Sequence, residues 1–229
     1  MSGAELRVAR KNTGKTQLDV SRSLGVSQGY VSLLENDARR VPSQLAKRFV
    51  NLYGLPPTAL PVEGDYFRFA RRDAQTLAEE LSALGYPGFS YMRSRKRRNP
   101  AEVLLASLAQ KDLESRLAEA LPWVLLHYPE LDNRWLIEQA RLHNLQNKLG
   151  FVVKLAREVA ERQGRHDSKL QALAELESAL AESRLTREDT FCKESMSEAE
   201  RRWLKDVRSP EAHYWNLLTD WRPEALRYA

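Results

Sequence analysis

Eight residues near the start of the chain, Ala9-Arg10-Lys11-Asn12-Thr13-Gly14-Lys15-Thr16, have the types that a phosphate-binding loop uses. In such a loop a lysine reaches the terminal phosphates, a Ser/Thr hydroxyl holds magnesium, and glycines let main-chain N–H groups wrap the anion. Here Ala9 stands where the first glycine belongs, and the preceding Gly3-Ala4-Glu5-Leu6-Arg7-Val8 reads as helix rather than buried strand. No acidic strand end follows to complete a magnesium site. The elements that must position these residues assign them other work. Ala9 and Arg10 close a first helix, Asn12-Thr13-Gly14 stops it, and Thr16 caps a second helix with Asp19 three residues on. Nucleotide binding is therefore not expected.

Other reactive types are sparse. The lone cysteine, Cys192, forms no internal disulfide and suits a reducing cytoplasm. His127, His143, His166 and His213 lack Cys or His neighbours at metal-ligand spacing, so no metal is expected. No Gly-x-Ser-x-Gly, His-Glu-x-x-His or cysteine–histidine pattern is present, and His166-Asp167 is an isolated dipeptide. The reading is a non-enzyme without a cofactor. No apolar run approaches the length of a membrane span, and no charged-then-apolar leader opens the chain.

Charge divides the 229 residues unevenly. Residues 1–60 carry nine Lys/Arg against four Asp/Glu, whereas residues 100–229 carry nineteen against twenty-two. A basic first part joined to an acidic remainder points to a nucleic-acid module at the start. That part reads as short helices: Ser27 caps a third helix with Val31 and Leu34 inside, Pro42-Ser43 open a fourth with Leu45, Phe49 and Leu52 inside, and Pro56-Pro57 allow a brief fifth turn.

The stretch Thr16 to Asn36, TQLDVSRSLGVSQGYVSLLEN, resembles the helix-turn-helix of the Cro/repressor (Xre-like, lambda-repressor-like) family. Thr16-Gln17, small Ser21, Gly25-Val26-Ser27, Val31-Ser32 and Leu34-Glu35-Asn36 carry the likeness, which covers about residues 4–60. It implies a third helix that enters the major groove N-terminus first. Gln28 then faces adenine, Gly29, Ser32 and Leu33 share the exposed face with neighbouring Tyr30, and Ser27 caps the helix. Thr16 and Gln17 at the second helix start, with Asn36, Arg39 and Arg40 after the third, are expected on the DNA backbone. The family also implies a structural pair, Arg10 with Glu35. Three positions depart from its pattern: Lys15 replaces a core-directed apolar residue, Gly29 supplies no side chain, and Leu33 replaces a polar groove contact. Asp37 stands for a common glycine, in a turn that Asp tolerates.

Three segments result: 1–62 as the DNA-binding domain, 63–100 as a connector with a helix and the basic run Arg93 to Pro100, and 101–229 as a helical domain for dimerisation, a partner or an effector. The fold class is all-α, five helices followed by a larger helical domain that could stack in a repeat-like array. Leu104, Leu105, Leu108, Leu113, Leu117 and Leu121 mark its apolar faces, and Trp203, Tyr214, Trp215, Trp221 and Tyr228 crowd its end. These residues serve either as a partner interface or as the domain's own core. The expected function is a cytoplasmic transcriptional repressor, homodimeric on a palindromic operator in double-stranded DNA. The alternative is an antitoxin that represses its own operon and neutralises a toxin enzyme through the helical half.

Overall fold

The computed structural model describes residues 1–62, 72–94, 96–164, 168–191 and 193–227. His166, Asp167, Cys192, Tyr228 and Arg95 lie outside them. The chain divides into two compact units, Met1–Gly64 and Asp65–Ala229. Both are predominantly helical, as the sequence predicts.

The first unit holds α1 (Gly3–Asn12), α2 (Gln17–Leu24), α3 (Gln28–Glu35) and α4 (Ser43–Tyr53), then a 3-10 turn at Pro57–Ala59 in place of a fifth helix. Local chemistry sets each boundary. Ser2 with Glu5 and Thr16 with Asp19 form capping boxes, and Ser27 accepts the Tyr30 N–H at 3.1 Å. Gly25, at φ 63°, turns α2 into α3 in the left-handed region that glycine enters without strain. The apolar faces meet in one core of Leu6, Ala9, Val20, Leu24, Val31, Leu34, Leu45, Phe49 and Tyr53. Ser21, small and buried, bonds the Leu18 carbonyl on its own helix at 2.8 Å. At Gly3 a Cβ would strike the Leu34 and Glu35 carbonyls, so the α1 start rests directly on the α3 end.

The second unit runs through α5 (Ala74–Leu84), a 3-10 turn Pro87–Phe89, α6 (Pro100–Leu108), α7 (Ser115–His127), α8 (Asn133–Leu142), α9 (Gln146–Arg162), α10 (Ser168–Ala181), β1 (Asp189–Thr190), α11 (Glu198–Val207), α12 (Pro210–Tyr214), β2 (Leu217–Leu218) and a 3-10 turn Pro223–Ala225. No strand was expected from the sequence. β1 and β2 form a two-residue parallel pair, Asp189 against Leu217 and Thr190 against Leu218, too short for periodicity to reveal. Helix α9 is buried along most of its length and packs against α6, α7, α8, α10 and α12. A repeat array, in which each unit touches only its neighbours, is thereby excluded. Pro122 lies inside α7, which continues to His127.

Residues 72–100, expected as a connector, belong to this unit's packing. Helix α5 buries Leu77, Ala78, Leu81 and Leu84 and packs on α6 and α7. The basic run faces carboxylates: Lys96 Nζ lies 2.7 Å from Glu79, and Arg98 Nε 2.7 Å from Glu80 with Nη1 3.6 Å from Glu102. Glu80 is buried and also takes Arg72 at 2.8 Å. Arg98 is therefore neither a solvated linker residue nor a DNA arm, but the cation that lets two buried carboxylates coexist.

The leucine faces are the unit's own core, with Leu104, Leu105, Leu108, Leu117 and Leu121 all fully buried. The aromatic end divides. Trp215 is fully buried on Gly150 of α9, where a Cβ would overlap its ring, whereas Trp203 and Tyr214 are exposed. Gly150→Ala is expected to destabilise the second unit by about 1–3 kcal/mol, the range for overpacking a filled core. Urea unfolding followed by tryptophan fluorescence measures it, and an unchanged midpoint would contradict the contact.

Candidate nucleic-acid interface

Position in α3 decides what each expected residue can do. Val31, Leu34 and Glu35 point inward, while Gln28, Gly29 and Leu33 are exposed and Ser32 half-buried. Gln28, at the first helical position, has its side chain in solvent. Gly29 is exposed, and a Cβ there would meet nothing within 4 Å. Tyr30 packs its ring against the core, so it supports the helix more than it extends from it. Ser27 and Thr16 are occupied as caps of α3 and α2.

The α3 end is a hydrogen-bonded junction. Glu35 is buried, its side chain 1% exposed, and Arg10 from α1 grips it side-on, Nε to Oε1 at 2.6 Å and Nη2 to Oε2 at 3.0 Å. The remaining Arg10 Nη1 donates to the Lys15 carbonyl at 3.0 Å. The main chain at Lys15 is thus held from α1, and the half-exposed side chain is not called on to fill a core position. Gln17 departs from the expectation of a free phosphate contact, because its Nε2 donates to Glu35 Oε2 at 3.0 Å. Arg7, which the sequence reading did not single out, donates to the Glu35 carbonyl at 3.4 Å and to Asn36 Oδ1. Its signal was the spacing, since Arg7 and Arg10 lie one turn apart on α1. Asn36 in turn reaches Ser32 Oγ at 3.4 Å, so two expected DNA contacts are already tied to each other. Asp37 takes φ 55° and its Oδ1 accepts the Gly3 N–H at 2.6 Å. A glycine there would give the turn without that bond. Arg39 and Arg40 are exposed.

The phosphate-loop pattern dissolves in this geometry. Ala9 is core, Gly14 makes the turn at φ 66°, and Thr16 holds Asp19 rather than a metal. Two short helices joined at a left-handed glycine, the second with its outer face open, remain to be explained.

The first unit is a helix-turn-helix domain. Residues 3–61 match the family profile of that domain. Comparison with curated proteins and with solved structures finds no match. A helix-turn-helix domain of this type belongs to DNA-binding regulators, and among the described residues no helix is long and apolar enough to cross a membrane.

The junction also sets the domain's response to acid. Burial pushes the Glu35 carboxyl upward, but hydrogen bonds from Arg10 and Gln17 with the charge of Arg10 outweigh it and hold the pKa below the ordinary 4.5. The same burial, with the Glu35 charge, raises the Tyr53 phenol to about 12. Since the unfolded chain binds the Glu35 proton more tightly, this stability is full above pH 4.5 and is lost as pH falls through the lowered folded value. Arg10→Ala is expected to cost the helix-turn-helix about 3 kcal/mol by leaving a buried carboxylate without its cation. Glu35→Gln should flatten the acid limb. Hydrogen exchange of α1–α3 in the full chain reads both, and wild-type protection in Arg10→Ala would contradict the pair.

Proposed function

We propose that this protein is a sequence-specific transcriptional repressor that inserts α3 into the major groove of its operator. The observation that carries the reading is the open face of α3, where Gln28, Gly29 and Leu33 lie outward on a helix locked from behind by the Glu35 junction. Gln28 suits bidentate contact with adenine, and Leu33 suits a thymine methyl. Gly29 lets the α3 main chain approach the bases closely. Arg39 and Arg40, exposed beyond the α3 end, hold phosphate without reading sequence.

A single α3 reads few bases, so a dimer on a palindrome is the reading for useful affinity. The second unit supports a partner surface, with Trp203 on α11 and Leu142 at the end of α8 both exposed. In the antitoxin alternative the same side chains meet a toxin. Sedimentation of the full chain separates these: a dimer in the absence of any other protein favours the repressor, and a monomer favours a heterologous partner.

Electrophoretic shift with DNA from upstream of the protein's own gene tests the main reading. Gln28→Ala is expected to weaken specific binding by about 1–3 kcal/mol while leaving nonspecific binding near wild type. Gly29→Ala separates stability from recognition. The new methyl enters open space on a helix where glycine is unfavourable, so the domain should gain about 0.5–1 kcal/mol. Specific binding should nonetheless weaken. A variant that is both more stable and equally tight on DNA would remove the close-approach role of Gly29.

A further inference from the structure

Within the second unit a cavity of about 570 Å³ opens over the first turn of α9. Its volume lies in the range of small-molecule sites, roughly 300–1,000 Å³. Leu145, Asn147 and Lys148 line it from α9 and its cap, and Arg187, Asp189 and Glu194 from the chain around β1.

Lys148 is the unusual member. Its side chain is 5% exposed, and lysine is almost never so buried without a firm partner. The carboxylate nearest to it among the described residues, Asp189, stands 3.5 Å away with its side chain 42% exposed. That is an ion pair too long for a strong hydrogen bond. Asp189 already accepts the Thr190 N–H at 2.7 Å. The start of α9 adds donors of its own. Leu145 at the cap offers no side-chain acceptor, and the main-chain N–H groups of Asn147 and Lys148, both in the lining, meet no acceptor among the described residues. An anion placed there would take the lysine, the free amides and the positive end of a 17-residue helix together. The wall is stiff, because the Asn147 side chain both donates to and accepts from the Leu185 main chain, at 2.9 and 2.8 Å.

We propose that this cavity binds a small anion-headed metabolite, its carboxylate or phosphate held by Lys148 and the first-turn amides of α9. Occupancy requires nothing of the helix-turn-helix, so failure here leaves the DNA reading untouched, and the reverse. The test titrates the full-length protein with sodium succinate and, separately, sodium phosphate at constant ionic strength, using calorimetry and thermal unfolding. A saturable response is expected, and the tighter anion identifies the head group. Lys148→Met should weaken it at least about tenfold, the loss of a charge-assisted hydrogen bond. Asp189→Asn, which removes a competing carboxylate, should tighten it. No saturable response to either anion, or equal affinity in folded Lys148→Met, overturns the site. If Lys148→Met fails to fold by circular dichroism, Asp189→Asn decides: tighter binding supports the site and unchanged binding overturns it.

Discussion

The helix-turn-helix of this protein is organised around one buried carboxylate. Glu35 closes α3 in a place water does not reach, and an ionised carboxylate there is tolerable only with its lone pairs filled. Arg10 fills both oxygens from α1, and Gln17 adds a bond from α2. Three helices are therefore fixed by one side chain. The same arginine holds the Lys15 main chain, which fixes the turn between α1 and α2. Arg7 and the Gly3–Asp37 bond then clamp the α1 start on the residues that follow α3. Helix α3 is held by these polar contacts at its C-terminal end as well as by Val31 and Leu34 in the core, and Gln28 and Gly29 at its start stay exposed.

Which parts of this were legible follows from the range of the interactions. Helix starts could be read because a cap and its acceptor lie three residues apart, as in Thr16 with Asp19, and left-handed ends could be read because Gly25 and Gly54 announce them. The Arg10–Glu35 pair spans 25 residues and came from the family resemblance, since no local pattern contains it. The internal bond of Gln17 was not legible for a chemical reason. An amide that can donate to a phosphate can equally donate to a carboxylate, and only the fold shows that Glu35 stands closer. Arg98 illustrates the same limit. A basic run beside a proline looks solvated until Glu80, eighteen residues upstream, folds back on it, although Glu102 one helical turn ahead hinted at the pairing.

In the second unit the decisive contacts are equally non-local. A helical character was legible from the sequence, but not the role of α9 as the element that five other helices share. Gly150 reads as a flaw in a helix by propensity alone. Its purpose appears once Trp215, some 65 residues later, lies flat where a side chain would be. An aromatic-rich chain end had two readings, core or interface, and packing assigned Trp215 to the first while leaving Trp203 open to the second.

The charge imbalance of residues 1–60 gains a mechanism from the structure. All four acidic residues are engaged internally: Glu5 accepts from the Ser2 N–H, Asp19 from Thr16, Asp37 from the Gly3 N–H, and Glu35 from Arg10 and Gln17. Glu5 and Asp19 lie in the first turn of a helix and the Asp37 carboxylate meets the first amide of α1, so a helix dipole offsets the field of each. Of the nine cations Arg10 and Arg7 are engaged at Glu35 in return, while Lys11, Arg22, Arg39, Arg40 and Lys47 remain exposed. The acids are thus tied into the fold, and most of the bases are left exposed, as cations that displace the counterions of a phosphate backbone must be. Within these 60 residues the acids serve the fold while most of the bases stay exposed.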